Sequence, residues 1–233
     1  MAKRPRVTVL QLDPGCPPAR FDGWLREAGL RLTVVPVADH GVPGVDALGE
    51  GLVVLGGRMS AQTDDEHPWL GDLRDVIADA HSVELPILGI CLGHQVLAET
   101  LGGRVVVGHP DGPEEGPALV EWTPAASGDA LVGALAATGP ITVVESHHDA
   151  VTELPPGAVE LARTDRFAHQ AFRHGSAWGV QFHPEADPDL LGVWSKRSGA
   201  ELNAFVAAAR AVDDKVVASG RALARAFAEI VRD

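Results

Sequence analysis

The segment Pro86-Ile87-Leu88-Gly89-Ile90-Cys91-Leu92-Gly93-His94-Gln95 admits few folds. Its apolar run has strand length, stops at a cysteine set between two glycines, and leads into a helix-like stretch from Leu92 to Leu101 closed by Gly102-Gly103. Buried strand, tight turn, helix is the repeating unit of α/β domains built on a parallel sheet. Gly51-Leu52-Val53-Val54-Leu55-Gly56-Gly57 has the same character, an apolar run stopped by two glycines, as a strand covered on both faces requires.

The surrounding chain extends the alternation. Val7 to Leu12 reads as a strand closed by the turn signal Asp13-Pro14-Gly15, and Leu30 to Val37 as another. Phe21, Trp24, Leu25 and Ala28 recur at helical spacing within Ala19–Ala28. Leu70, Leu73, Val76, Ile77 and Ala80 do so within Trp69–Ala80. In parallel α/β sheets ligands bind beyond the carboxyl ends of the strands. Gly56-Gly57, Cys91 and His183 each fall at such an end.

From Arg104 to Phe182 the pattern changes to short strands, predicted at Val105–Val107, Ala118–Trp122, Ile141–Glu145, Val159–Ala162, Ala168–Phe172 and Ala177–Gln181. They are expected to fold onto the same sheet, with Asp111 to Pro117 a mobile polar loop. Leu202, Phe205, Val206, Ala209, Val212, Val216, Leu223, Phe227 and Ile230 predict one or two C-terminal helices. These pack on the domain or, alternatively, form an oligomer contact. The expected organisation is one α/β domain over 1–190 with a helical extension over 191–233.

The formal net charge of -13, from 19 basic and 32 acidic residues, argues against a general nucleic-acid binder and against an anionic membrane surface. Anionic small substrates stay open, because local charge differs from net charge. The two cysteines, Cys16 and Cys91, are no disulfide framework, although a bond between them is left open. The basic start, Met1 to Arg6, runs straight into a strand without the apolar core of a signal peptide. No apolar run reaches membrane-spanning length, so a cytoplasmic location is expected.

Cys91 carries the chemistry. Free cysteine is mostly thiol at neutral pH, but a helix N-terminus and a nearby imidazole both favour thiolate. Gly89 and Gly93 flank it as glycines flank the serine of a G-x-S-x-G elbow. Backbone N–H groups after such a turn can hold a tetrahedral oxyanion; Leu92 and Gly57 are the candidates. Gly179-Val180-Gln181-Phe182-His183-Pro184-Glu185 reads as a strand ending in a histidine and a carboxylate. Side chains two apart on a strand share a face, so Glu185 is placed to orient His183. A buried core cysteine is the alternative, and the histidine–carboxylate pair weighs against it. Thiol, base and orienting carboxylate together are the parts of acyl transfer through a thioester.

Other polar groups carry less. Glu145-Ser146-His147-His148-Asp149, with His94 and His109, invites a metal reading, but adjacent histidines on an extended segment point apart and no ligand spacing recurs. No metal and no cofactor are expected. Arg58 to Glu66 reads as a solvated loop beside the site, with Arg58 either a carboxylate binder or a surface residue. Asp13 to Pro18 follows the first strand and is expected to reach the site edge as well, and Cys16 there, with no elbow around it, reads as incidental.

The strand Val53–Gly57, the segment Gly89–Gln95 and the segment Gly179–Glu185 resemble the corresponding motifs of class I (triad-type) glutamine amidotransferases, in particular the stand-alone GMP-synthase-like group. The resemblance covers residues 7 to 190. It implies a single-domain, flavodoxin-like three-layer sandwich with a mostly parallel central sheet, extra short strands and C-terminal helices. It implies that Cys91 attacks the side-chain amide of glutamine, that ammonia leaves, and that water hydrolyses the γ-glutamyl thioester, with His183 and Glu185 completing the triad. Gln95 and the backbone around Ser146, His147 and His148 would contact the α-amino-acid end of the substrate. An ammonia-consuming synthetase partner is implied as well, since no G-x-x-x-x-G-K-[ST] phosphate loop occurs in the chain. The alternatives are a γ-glutamyl peptidase and a noncatalytic partner-binding subunit; oligomeric state is not set.

Overall fold

The first strand alternates its side chains between two apolar layers, and the rest of the domain is organised by that alternation. In the computed structural model, which describes residues 4–233, strand β1 spans Arg6–Gln11. Met1, Ala2 and Lys3 of the basic N-terminal segment lie outside the described residues. Val7 and Val9 face one core, with Phe21, Trp24, Leu25, Leu223 and Phe227. Leu10 faces the other, with Leu70, Leu73, Ile77, Val96 and Leu97. Fully burying one such side chain contributes about 1.5–3 kcal/mol.

In chain order the remaining elements are helix α1 (Ala19–Glu27), β2 (Arg31–Pro36), α2 (Val37–His40), β3 (Gly51–Val54), α3 (Trp69–Ser82), β4 (Ile87–Ile90), α4 (Leu92–Thr100), β5 (Arg104–Val106) and β6 (Glu114–Trp122). Then come α5 (Gly133–Ala136), β7 (Ile141–His147), β8 (Ala150–Glu153), β9 (Val159–Arg163), β10 (Ala171–His174), β11 (Ala177–Val180), α6 (Pro188–Trp194) and α7 (Gly199–Ile230). The main sheet has the order β2-β1-β3-β4-β11-β10-β9-β6-β7. Its first five strands run parallel. The others join antiparallel, so the β-rich second half does extend the same sheet. β5 and β8 form a separate two-stranded sheet. Helices α1 and α7 cover one face and α3 and α4 the other, giving three layers. Every residue of β3 and β4 is buried, which is why those runs read as uniformly apolar.

Strand order reverses at β1, between β2 and β3, and such a switch point opens a crevice at the carboxyl edge. The loops after β1, β3, β4 and β11 meet there.

Several elements differ from expectation. Glu114 to Pro117 belongs to β6, not to a loop: Glu114 pairs with His147, Gly116 with Glu145 and Pro117 with Val144. β7 accordingly runs on to His147, and β8 is a strand that the local pattern does not predict. The strand expected at Ala168–Phe172 begins at Ala171. His183 and Glu185 lie in the turn after β11 rather than on the strand itself. The tail forms short α6 and one 32-residue helix, α7.

Candidate active site

The turn from β4 into α4 is closed by contact, and both glycines are required by it. A Cβ on Gly89 would lie 2.5 Å from the Gly93 carbonyl oxygen, and one on Gly93 would lie 2.2 Å from that of Val54. Cys91 stands at the apex with φ 51° and ψ -105°, a conformation that costs of order 1–3 kcal/mol for a residue with a Cβ. Its N–H donates to the Val180 carbonyl at 2.9 Å, tying the turn to β11. The side chain sits at the N-terminus of α4, where the helix dipole favours negative charge. Leu92 follows as the first residue of α4, and its N–H is one of those a helix leaves without an internal partner.

His183 arrives from β11. Its N–H donates to the Val144 carbonyl at 3.0 Å, and its ring Nδ1 lies 2.8 Å from Glu185 Oε1. With a carboxylate there, Nδ1 donates its proton to Glu185, and Nε2 is the nitrogen left to exchange a proton with Cys91. Both side chains are buried. Burial alone would lower the imidazole's pKa; the adjacent Glu185 carboxylate and the Cys91 thiol outweigh it and hold His183 well above the ordinary histidine value. Gly56 lies between the two chemical groups. A Cβ there would sit 3.3 Å from His183 Cε1 and 3.5 Å from Cys91 Cβ, so any side chain at this position crowds the His183 ring. Gly57 follows, packed so closely on α4 that a Cβ would lie 2.9 Å from Leu92 Cδ2.

These groups open onto a cavity of about 380 Å³ at the carboxyl edge. Of the residues singled out by sequence, Gly57, Cys91, Gln95, Ser146, His147, His148 and His183 line it. Glu185 and Leu92 stand behind it. Gln95 is buried; its amide donates to the Asp149 carbonyl at 2.9 Å and to Gln181 Oε1 at 3.2 Å, joining α4 to the β7–β8 turn. Ser146 is half-buried and His148 exposed, whereas His147 points inward, so adjacent histidines do point apart.

His147 belongs to a buried polar cluster. Its Nδ1 lies 3.0 Å from the Asp149 carbonyl, and its Nε2 faces Glu114 Oε2 at 3.3 Å and Glu145 Oε2 at 3.6 Å. Glu114 is satisfied by Thr164 and Gln170, at 2.9 and 2.5 Å. Glu145 is fully buried with no hydrogen bond to either oxygen. Burial, and then the Glu114 charge, push its carboxyl well above the usual range, which favours the neutral acid. Among the described residues these three could together hold a metal; sequence spacing missed the grouping because Glu114 comes from a different strand. His94 is a core histidine: burial pushes it down to about 3, and its ring lies 5.0 Å from that of Phe172.

Residues 23–193 match the family model described as Glutamine amidotransferase class-I. The chain belongs to this family. It is 38% identical over 134 residues to the glutamine-hydrolyzing GMP synthase subunit of Thermococcus kodakarensis, covering 57% of this chain and 68% of that one. To the protein of the same name from Halobacterium salinarum it is 34% identical over 154 residues, covering 65% and 74%. To that of Methanosarcina acetivorans it is 43% identical over 113 residues, covering 47% of this chain and 56% of the relative. The crystal structure of a glutamine amidotransferase from Thermotoga maritima shares the fold, with TM-score 0.84 over 98% of this chain and 100% of that one at 23% identity. One from Methylobacillus flagellatus has TM-score 0.82 over 99% and 95% at 25% identity.

Two loops that the sequence already places at the site edge bring further residues to this amidotransferase's cavity. Cys16 lines it too, and both cysteines are free thiols. Burial, then the Asp13 charge, push the Cys16 thiol far up, so it stays protonated. Arg58 lines the cavity as well, but Asp13 holds its guanidinium at 2.7 and 2.9 Å, and this bond keeps the Asp13 carboxyl below its ordinary value. Trp194, the last residue of α6, and Lys196 just beyond it reach in unanticipated. The one signal for Trp194 was an aromatic residue in the first helix after His183.

Proposed function

We propose that this class I glutamine amidotransferase hydrolyses glutamine to glutamate and ammonia through a γ-glutamyl thioester on Cys91. The supporting observation is that one cavity joins a cysteine held in a strained backbone at a helix N-terminus to a buried histidine–carboxylate pair from a distant part of the chain. In this mechanism the Sγ proton already rests on His183 Nε2, as an imidazolium beside Cys91, when sulfur attacks the side-chain carbonyl of glutamine. The Leu92 and Gly57 N–H groups receive the oxyanion. His183 returns the proton to the departing nitrogen, then activates the water that releases glutamate. Glu185 keeps Nδ1 protonated and supports the imidazolium. Gln95 and the β7–β8 turn hold the α-amino-acid end.

The relatives named as glutamine-hydrolyzing subunits of GMP synthase support a further step, in which the ammonia passes to a separate synthetase. Among the described residues no helix is long and apolar enough to cross a membrane, and we read the enzyme as acting in the cytoplasm on a small substrate.

The test is intact-protein mass together with glutamate and ammonia release, for wild type and Cys91→Ala, with glutamine, γ-glutamyl dipeptides and glutathione. A γ-glutamyl adduct and products from glutamine, both lost in Cys91→Ala, are expected. Turnover surviving in Cys91→Ala refutes the mechanism, and turnover of γ-glutamyl peptides alone makes the protein a peptidase.

A further inference from the structure

The family match ends at residue 193, and the next residue reaches into the site. Trp194 ends α6 and lines the same cavity as Cys91 and His183. Its ring centroid lies 4.7 Å from that of His183, with the planes tilted by 52°. Its Nε1–H donates to the Gly15 carbonyl in the loop after β1 at 2.8 Å.

The His183 ring needs such a neighbour. It makes one hydrogen bond, through Nδ1 to Glu185, while Nε2 is buried without a partner. That bond and the Cβ–Cγ bond fix two points of the ring, and the freedom that remains is a tilt of the ring about the line joining them. That motion displaces Nε2, the atom that must meet the Cys91 thiol. A tilted aromatic contact against the ring restricts it.

Trp194 is itself held from two sides. The Asp187 carboxylate caps α6 by accepting the Leu190 N–H at 2.8 Å. Leu191 is buried with Val144, Ala209 and Val216, which anchors α6 to β7 and α7. On the other side the loop bearing Gly15 is fixed by Asp13, which accepts the Gly15 N–H at 2.7 Å and grips Arg58.

We infer that Trp194 is a positioning residue that holds the His183 imidazole in line between Glu185 and Cys91. Trp194, within the 191–233 extension, then belongs to the active site as well as to the packing of the domain. The inference rests on the proposed acyl-transfer function, so its test reads a property of the free enzyme beside turnover.

Trp194→Ala, Trp194→Leu and Trp194→Phe are compared with wild type in kcat and KM for glutamine, and in the rate at which iodoacetamide alkylates Cys91 at pH 7, read by peptide mass. Misplacement by about 1 Å can cost about 10²-fold in rate, so Trp194→Ala should lower kcat by that order with KM within a few-fold. Cys91 alkylation should slow as well, and Trp194→Phe, which keeps an aromatic face, should recover most of both. Trp194→Leu preserves apolar bulk and stands in for Ala should Ala melt the fold. An unchanged kcat with an unchanged alkylation rate overturns the inference. So does a rise in KM alone, which would make Trp194 only a wall of the pocket. Phe as damaging as Ala would credit the Gly15 hydrogen bond instead of the ring contact. If wild type does not turn over glutamine, the proposed function fails; alkylation equal in wild type and Trp194→Ala then sinks the positioning role separately.

Discussion

Glu145 supplies the sharpest thermodynamic prediction. Its carboxyl is fully buried, has no hydrogen-bond donor, and is favoured in its neutral form by burial and by Glu114. In the unfolded chain the same group ionises near the ordinary glutamate value of about 4.3. Between that pH and the higher pH at which Glu145 ionises in the fold, the native state binds one proton more than the unfolded state. Stability therefore falls as pH rises through this window, by about 1.4 kcal/mol per pH unit from this group. Glu145→Gln removes the titration and keeps a neutral side chain of similar shape. The stability of Glu145→Gln relative to wild type should thus grow by about 1.4 kcal/mol for each unit of pH across the window. For a domain of this size that is about 3–6 °C in melting temperature per unit. Urea denaturation of both proteins at half-unit steps from pH 4.5 to pH 7 measures it. The facing groups, Glu114, His147, His183 and Cys91, are common to both proteins and largely cancel. A difference that stays flat with pH would mean Glu145 is ionised in the fold, and the account of the cluster as a protonated one would be wrong.

Two other changes probe the catalytic frame. Glu185→Gln leaves the shape but withdraws the carboxylate 2.8 Å from His183 Nδ1; kcat should fall by about 10²–10⁴-fold, and an unchanged steady-state rate would remove Glu185 from the mechanism. Gly93→Ala drives a methyl to 2.2 Å from the Val54 carbonyl, an overpacking that should cost about 3 kcal/mol or more. A thermal melt unchanged from wild type would show that the turn between β4 and α4 has slack that its geometry denies.

How far each element could be read in advance follows the range of the forces that form it. β3, β4, α3 and α4 announce themselves because their burial is uniform or periodic along a few consecutive residues. Glu114-Glu115-Gly116-Pro117 reads as turn material, yet it is strand, because pairing with Val144 to His147 outweighs weak local propensity. His183 and Glu185 were expected to meet as residues sharing one face of a strand. They meet within hydrogen-bonding distance in a turn instead.

The local sequence by itself determined the glycine-flanked thiol at a strand end, the histidine and carboxylate at another, and the parallel sheet that brings such ends to one edge. Each of these follows from side-chain size, backbone freedom and apolar spacing over ten residues or fewer. Only the tertiary structure decided that Glu114 faces Glu145 and His147, and that Trp194 lies against His183. Those neighbours are set by strand register and by helices packing across the sheet, and contacts between residues far apart in the chain leave no period in the sequence to read.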